Sequence, residues 1–387
     1  MKDFFTSMGV NQNAPFYDQL SYSNRFYSQN SEYQRKKERC ELFSIIGIGD
    51  PIVDIISEVD DDLIRKYNLK GGDTIFLDES ENAQIFDEIE RLPEVRYIPG
   101  GSVQNTLRVL SWCLNMNSNN RNKFHLTMLG CVGEDIYKLK IVNALKELNV
   151  YTLFQISPND KTSRCGVGIY KKERFLITQL RASKNISEDF IQQNLNKILL
   201  NEAIIIEGYI LQKKLEMCSK LCDYFNQEKK VVILTLGAIF MVQIHRSKIL
   251  EIANKSDIIV GNIEEAEEFA QTRGNNIKET FETIFRQLTP KDRLLVFTAC
   301  LCGVYCSKYD FKRNKVDFIL QVFPKKLKNE EIVDLNGAGD AFLGGFLSEY
   351  IKGNSVYDCC KIGCQASNVI LHNVGCSFPK NMKFEDI

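Results

Sequence analysis

Asp340 stands directly after a glycine turn, in a segment whose residue types suit the binding of an anion. It follows Gly337, Ala338 and Gly339, and an apolar pattern with helical spacing begins immediately after it. Two glycines around a small residue permit a tight turn, and the first N–H groups of a helix attract anions. An ordinary aspartate has a pKa of about 3.9 and is ionised at neutral pH. Alternatively, Asp340 only caps the helix, a role that aspartate favours.

A second glycine segment opens another predicted helix. Gly100 and Gly101 would let the backbone approach a ligand closely. Ser102 can cap the helix, and Asn105 can face the same opening one turn later. A plain glycine-rich helix start explains this segment about equally well.

Polar residues also follow two predicted strands. Asp50 and Asp54 lie just past the first strand, where open parallel sheets bind ligands, although exposed turn carboxylates are also common there. Asn262 and Glu265 follow a later strand and are spaced to share one side of a helical turn. This pair could organise Mg²⁺ through water, or Glu265 could serve only the helix dipole.

Several familiar motifs do not occur in the sequence. Gly337 and Gly339 are not followed by the third glycine of a dinucleotide-binding loop, and neither are Gly47 and Gly49. No Gly-Lys pair exists, which excludes a P-loop. The cysteines at 300, 302 and 306 have no partner pair at zinc-finger spacing, and the three histidines are scattered.

The composition is that of an ordinary globular protein with a small-molecule partner. The 387 residues are 44% hydrophobic with a net charge of -1, which argues against nucleic acid or an anionic membrane as a partner. Thirteen irregularly spaced cysteines indicate free thiols in a reducing compartment, so a cytoplasmic location is expected. The longest apolar stretch, 231–242, is too short to span a bilayer, and the start does not read as a secretory leader.

From residue 43 onward, short apolar runs alternate with longer helical patterns. The runs are 43–49, 124–130, Ala203–Glu207, 231–236, 257–261 and 294–298. This rhythm predicts an α/β fold with a mostly parallel sheet and helices on both faces.

Three further stretches predict strands but lack the helical crossovers that parallel neighbours require. They are 52–59, 74–78 and 165–180, and they predict a small β-sheet lid. The domain is expected to cover 42–387, with lid segments near 52–78 and 151–182. Residues 1–41 read as a polar disordered tail, and 115–123 as a polar loop insertion.

Taken in chain order, these segments resemble the ribokinase-type (PfkB) sugar kinases, and most closely the members that phosphorylate adenosine. The resemblance rests on 47–54, 100–105, Asn262 with Glu265, and 334–340, and it runs from about residue 42 to the end. It implies a ribokinase-like fold and ATP-dependent phosphoryl transfer to the 5′-hydroxyl of adenosine, giving AMP and ADP, with Mg²⁺. Alternatives are a kinase for another nucleoside or a sugar, and an inactive nucleoside-binding protein. A monomer is expected, with an oligomer left open.

The resemblance also implies roles for individual residues. Asp340 would take the proton of the hydroxyl, Gly337, Ala338 and Gly339 would form the anion hole, and Arg174 would reach the transferring group. The residues that would hold the acceptor are Asp50, Ile52, Asp54, Phe76, Gly100, Gly101, Ser102, Asn105, Cys165, Leu176, Leu180, Tyr209 and Phe240. The nucleotide would contact Asn262, Thr298, Gly303, Asn336 and Gly339, and Glu265 would serve Mg²⁺ through water.

Three positions depart from the pattern of the members that act on adenosine. Asp50 replaces their usual Asn, Leu335 replaces Thr, and Cys300 replaces Gly. An ionised Asp50 can accept but not donate a hydrogen bond, which leaves the preferred nucleoside open.

Overall fold

The computed structural model describes residues 43–77, 83–116, 124–170, 173–273 and 276–379. The predicted tail at 1–41 and most of the predicted loop at 115–123 lie outside these residues. No helix in the described ranges is both long enough and apolar enough to cross a bilayer.

The strands and helices alternate along much of the chain, as the sequence predicts. In chain order the strands are β1 (Phe43–Ile48), β2 (Ile52–Glu58), β3 (Thr74–Phe76), β4 (Arg96–Gly100), β5 (Phe124–Gly133), β6 (Val150–Ser157), β7 (Ser163–Tyr170), β8 (Glu173–Gln179), β9 (Ala203–Glu207), β10 (Val231–Thr235), β11 (Ile258–Asn262), β12 (Arg293–Thr298), β13 (Val304–Asp310) and β14 (Lys315–Val322). The helices are α1 (Asp61–Tyr67), α2 (Gln84–Arg91), α3 (Ser102–Met116), α4 (Ile136–Glu147), α5 (Glu188–Ile198), α6 (Leu211–Gln227), α7 (Ile239–Lys255), α8 (Ile263–Ala270), α9 (Ile277–Gln287), α10 (Ala338–Tyr350) and α11 (Val356–Leu371).

Nine strands form the larger sheet in the spatial order β14-β13-β12-β11-β10-β9-β1-β5-β6. Neighbours from β12 through β6 pair in parallel, while β12, β13 and β14 pair antiparallel. Ile204, Ile205 and Ile206 on β9 are fully buried, which shows that helices cover both faces of the sheet. The predicted mostly parallel sheet is therefore confirmed, and all six predicted strands belong to it.

The smaller sheet has five strands in the order β3-β8-β7-β2-β4. The predicted single run at 165–180 is in fact two strands, because β7 and β8 pair antiparallel as a hairpin. Residues Val150–Ser157 form β6 at the edge of the larger sheet, so the second segment of the small sheet begins at Ser163 rather than near 151. The sequence pattern did not predict β4, an edge strand that contains Pro99.

Two helices bring the two glycine segments of the sequence together. A Cβ at Gly344 of α10 would lie 2.8 Å from the backbone nitrogen of Leu110 and from the backbone oxygen of Thr106, both on α3. Glycine therefore permits the close packing of α10 on α3. The first turns of both helices consequently meet at the carboxyl edge of the larger sheet.

Candidate active site

A cavity of about 630 Å³ lies between the carboxyl edge of the larger sheet and the smaller sheet. The sequence-predicted residues that line it are Asp50, Ile52, Asp54, Phe76, Gly101, Ser102, Asn105, Cys165, Leu176, Leu180, Tyr209, Phe240, Asn336, Gly337 and Asp340. The predicted residues outside its lining are Gly100, Arg174, Asn262, Glu265, Thr298, Gly303, Ala338 and Gly339. Most residues predicted for the acceptor thus share one cavity, while those predicted for the nucleotide lie mainly beside it.

Asp340 is held by the first turn of the neighbouring helix α3. Its Oδ1 accepts a hydrogen bond from the Ser102 hydroxyl at 2.7 Å, and its Oδ2 accepts one from Nδ2 of Asn105 at 3.0 Å. Gly337 occupies the N-cap position of α10, and no side chain caps this helix. The interpretation of Asp340 as a helix cap is therefore wrong, and its carboxylate instead faces the cavity.

The pKa of Asp340 departs from the ordinary value expected from the sequence. Burial raises this pKa, because the charged form loses water, while the hydrogen bonds from Ser102 and Asn105 oppose the rise. Sequence reasoning treated Asp340 as a solvated carboxylate, since the packing of α3 against it could not be seen. A raised pKa makes the ionised carboxylate a stronger proton acceptor.

A buried arginine fixes the orientation of Asn105. Nη1 of Arg108 donates to Oδ1 of Asn105 at 3.2 Å and to the carbonyl oxygens of Pro99 and Cys376 at 3.0 Å each. Because the amide oxygen of Asn105 is engaged by Arg108, its NH₂ group is the part that faces Asp340. Arg108 therefore positions the hydrogen bond that Asp340 receives.

The turn before Asp340 combines a strained backbone with open space. Gly337 has φ +77°, and a Cβ there would lie 2.7 Å from Cβ of Cys376, so only glycine fits without displacement. A Cβ at Gly339 would meet no atom within 4 Å. This space at the start of a helix has the size and the N–H surroundings that an anionic group requires.

Asp54 lies against the glycines that precede α3. A Cβ at Gly100 would stand 2.1 Å from Oδ1 of Asp54, and Gly101 has φ +93° with its Cβ position 2.3 Å from the carbonyl oxygen of Asp50. Because glycine has no Cβ, these two positions leave room for both acidic residues in the cavity wall. Burial raises the pKa of Asp54 to about 7, and the Arg108 charge opposes this rise.

Three aromatic side chains also line the cavity. The rings of Phe76 and Phe240 meet edge to face with centroids 5.8 Å apart, and Tyr209 lies 6.0 Å from Phe240. Phe76 remains 48% exposed, so it offers a large apolar face to the cavity. A flat apolar group bound here would cover that face and gain from its burial.

Asn262 and Glu265 form a reciprocal cap at the start of α8. The Glu265 N–H donates to Oδ1 of Asn262 at 2.8 Å, while Oε1 and Oε2 of Glu265 accept from Nδ2 and the N–H of Asn262 at 2.7 and 3.1 Å. Burial raises the pKa of Glu265 to about 7. Within the described residues, no group of three or more His, Cys, Asp or Glu side chains could hold a metal directly. Each Glu265 oxygen keeps a lone pair for water, so the pair fits Mg²⁺ held through water.

The strand ends place Thr298 beside Asn262. These residues are register partners on β12 and β11, and the Thr298 hydroxyl donates to the carbonyl oxygen of Gly261 at 3.5 Å. The following turn closes with the Ala299 N–H donating to Gly303, which has φ +88°. These groups share the carboxyl edge with Asp340 but lie outside the cavity lining.

Arg174 is not in the cavity lining, although the sequence predicted it near the transferring group. It forms an ion pair with Asp334, whose side chain is almost fully buried. Asp334 also accepts from the N–H groups of Asn336 at 3.0 Å and Gly375 at 2.5 Å. This network ties β8 of the smaller sheet to the turn that leads into α10.

The cavity also contains residues that the sequence reasoning missed. They are Thr74, Leu77, Thr178, Lys184, Glu207, Gln212, Lys213, Gly237, Ile244 and His245. Of these residues, only Glu207 could have been predicted from the sequence. It is a charged residue at the carboxyl end of an otherwise apolar parallel strand, where ligands bind. No sequence pattern predicts that Gln212 and Lys213 line the cavity, since their positions depend on how α6 packs.

The fold agrees with the comparisons to known proteins. The chain belongs to the pfkB family of carbohydrate kinases, whose family model matches residues 65–382. Among curated relatives, an adenosine kinase of Dictyostelium discoideum is 30% identical over 354 residues, which cover 87% of this chain and 96% of the relative. Adenosine kinase 2 of Arabidopsis thaliana is 29% identical over 348 residues, with 88% and 97% covered.

Solved structures show the same architecture. The adenosine kinase from Schistosoma mansoni in complex with 2-fluoroadenosine is 27% identical, with a TM-score of 0.73 over 87% of this chain and 97% of that chain. The apo adenosine kinase of Trypanosoma brucei brucei is 26% identical, with a TM-score of 0.77 over 86% and 99%. The predicted ribokinase-like fold is therefore confirmed.

Proposed function

We propose that this protein transfers the terminal phosphoryl group of ATP to the 5′-hydroxyl of adenosine, giving AMP and ADP. The observation that carries the proposal is the position of Asp340. It is held by Ser102 and Asn105 beside the glycine turn, in a cavity that is lined by both acidic groups and aromatic rings. The relatives named adenosine kinase support adenosine as the acceptor.

Asp340 would accept the proton of the acceptor hydroxyl during phosphoryl transfer. The backbone N–H groups around Gly339 would stabilise the charge on the transferring group, since a helix start and open space coincide there. Asp54 would accept hydrogen bonds from sugar hydroxyls, and Phe76, Tyr209 and Phe240 would enclose the base.

The nucleotide would be held by Asn262, Glu265, Thr298, Gly303 and Asn336. Of these residues, Glu265 would bind Mg²⁺ through water. When bound, Mg²⁺ would neutralise part of the phosphate charge. The Arg174–Asp334 ion pair suggests a different role for Arg174 from the one expected from the sequence. It would hold the smaller sheet, the proposed lid, against the turn before α10.

A coupled assay of ADP release with Mg·ATP tests this function. The acceptor panel is adenosine, 2′-deoxyadenosine, inosine and ribose, and the Asp340→Asn variant is the control for background hydrolysis. Adenosine should have the highest kcat/KM, and ribose should be a very poor substrate because it forfeits burial against the rings. Ribose turnover equal to that of adenosine would make the protein a sugar kinase. Adenosine binding without any turnover would make it an inactive binding protein.

We also propose that the protein acts as a monomer in a reducing compartment such as the cytoplasm. The described cysteines are free thiols, most of them buried, which supports the compartment. Size-exclusion chromatography with light scattering checks the oligomeric state, and imaging of the tagged protein checks the location.

A further inference from the structure

Two buried acidic residues share the end of the cavity that contains Asp340. Glu207 ends β9, and Asp50 lies in the loop after the neighbouring parallel strand β1. Their exposures are only 3% and 7%, yet both line the cavity. The Asp50 N–H donates to Oε2 of Glu207 at 3.4 Å, so the two residues are direct neighbours.

Ser102 lies between Glu207 and Asp340. Its backbone N–H is near the Glu207 carboxyl group and lowers the pKa of that group, while its hydroxyl donates to Asp340 at 2.7 Å. Glu207 therefore belongs to the end of the cavity where the acceptor hydroxyl must lie. A ligand group that contacts Glu207 would accordingly be part of the sugar.

The charged groups around the pair favour one ionised and one neutral carboxyl. Glu207 accepts from the backbone N–H of Asp50, and the negative charges of Asp50 and Asp340 raise its pKa. The Ser183 hydroxyl and the positive charge of Lys213 on α6 lower the pKa of Asp50 against the larger effect of burial. Within the described residues, no salt bridge reaches either carboxyl group. Two buried like charges side by side are strongly unfavourable.

Two further titratable groups that line the cavity near this pair are Tyr209 and Lys184. Tyr209 lies near Glu207, and its pKa is raised by burial and then by the Glu207 charge, so it stays neutral. Lys184 also lines the cavity, from the turn that carries Ser183. Burial raises the pKa of both acids, and that of Glu207 is raised well above its usual range because Asp50 and Asp340 add to the effect of burial.

We propose that Glu207 is protonated at neutral pH and donates its O–H to a sugar oxygen of the nucleoside beside the ionised Asp50, which makes it a specificity-determining residue. The pair then offers the ligand one donor and one acceptor, although both residues are acids. This assignment rests on the proposed function, because it takes a nucleoside as the ligand.

Adenosine affinity measured by calorimetry without ATP, from pH 6 to about 9.5, tests the role of the proton. The parent should lose affinity by up to about tenfold for each pH unit once Glu207 ionises. Glu207→Gln keeps an N–H donor of similar shape, so its affinity should not change with pH. Asp50→Asn removes a neighbouring charge that opposes ionisation of Glu207, so the adenosine affinity of this variant should begin to fall at a lower pH than that of the parent. Glu202→Gln makes the same change directly before the start of β9, at the opposite end of this strand and outside the cavity lining, and should match the parent.

Infrared difference spectra of the ligand-free protein test protonation without any substrate. Parent minus Glu207→Gln at pH 7 should contain the band of a protonated carboxyl group, and Glu202→Gln should not remove that band. The absence of the band would overturn the proposal. Constant adenosine affinity in the parent with normal turnover would overturn the role in binding and leave the kinase assignment intact. If adenosine is neither bound nor phosphorylated, the proposed function fails, and the nucleoside contact fails with it, whatever the infrared result.

If Glu207→Gln does not fold, the comparison of parent and Asp50→Asn replaces it. The proposal is supported if the adenosine affinity of Asp50→Asn falls at a lower pH than that of the parent. It is overturned if the affinity falls at the same or a higher pH.

Discussion

Replacing Asp340 by Asn removes the proposed base while nearly preserving the shape of the side chain. Loss of a general base usually lowers kcat by about two to four orders of magnitude. At about 1.4 kcal/mol for each factor of ten, this corresponds to about 3 to 6 kcal/mol in the activation free energy. Adenosine binding should change much less, because the aromatic side chains of the cavity are untouched.

The structure adds a second consequence for the same variant. Both carboxylate oxygens of Asp340 accept hydrogen bonds, one from Ser102 and one from the NH₂ group of Asn105. An Asn side chain has one acceptor oxygen and one NH₂ group, so it cannot accept both bonds. Asn105 cannot turn to compensate, because Arg108 engages its amide oxygen. An unmade hydrogen bond costs about 1 to 3 kcal/mol, while removal of a buried charge offsets part of that.

The assay combines ADP release, adenosine calorimetry and thermal melting on the parent and on Asp340→Asn. Ser102→Ala serves as the matched control, since it removes one donor to Asp340 and leaves the base in place. It should lower kcat far less than Asp340→Asn does. Activity of Asp340→Asn within about threefold of the parent would refute Asp340 as the base, because a lost general base should cost at least about a hundredfold.

Three further predictions concern stability and the glycine turn. Burial raises the pKa of Asp54 to about 7, so folding favours the protonated form of this residue. The contribution of Asp54 to the free energy of unfolding is therefore complete below its unfolded pKa of about 3.9 and is lost as the pH rises towards 7. Asp54→Asn should therefore melt like the parent near pH 4 and at a higher temperature near pH 8; equal melting temperatures at both values would contradict this. Gly337→Ala should lower the melting temperature, because the backbone there is strained for any other residue. Gly339→Ala should leave the melting temperature unchanged and impair turnover, because its methyl group would occupy the open space. Normal turnover in Gly339→Ala would place the phosphoryl group elsewhere. Deleting residues 1–41 should change neither the melting temperature nor kcat, and a loss of several degrees would show that the tail packs on the domain.

The sequence predicted six of the parallel strands well because their apolar runs are nearly continuous and bounded by helical patterns. Ile204, Ile205 and Ile206 illustrate such a run. It failed where strands are short, exposed or antiparallel. β6 is an edge strand with a largely half-buried pattern, and the hairpin of β7 and β8 resembles one continuous run.

Through its resemblance to a family, the sequence also identified residues for the acceptor that all line the cavity except Gly100. It could not show how these residues are held. The bond from Arg108 to Asn105 and the ion pair of Arg174 with Asp334 join positions that depend on tertiary packing. The environment that raises the pKa of Asp340 likewise exists only when α10 packs on α3. Local sequence patterns therefore identify candidates, whereas their charge states follow from the fold.

The charge state of Glu207 bears directly on the proposed chemistry of Asp340. Asp340 can accept a proton only while it is ionised, yet burial already raises its pKa. Its charge raises the pKa of Glu207, and because such interactions are mutual, an ionised Glu207 would in turn raise that of Asp340. A neutral Glu207 avoids this repulsion and leaves Asp340 available as the base. The proton on Glu207 would thus serve two purposes, since it donates to the sugar and limits the negative charge beside the reacting hydroxyl.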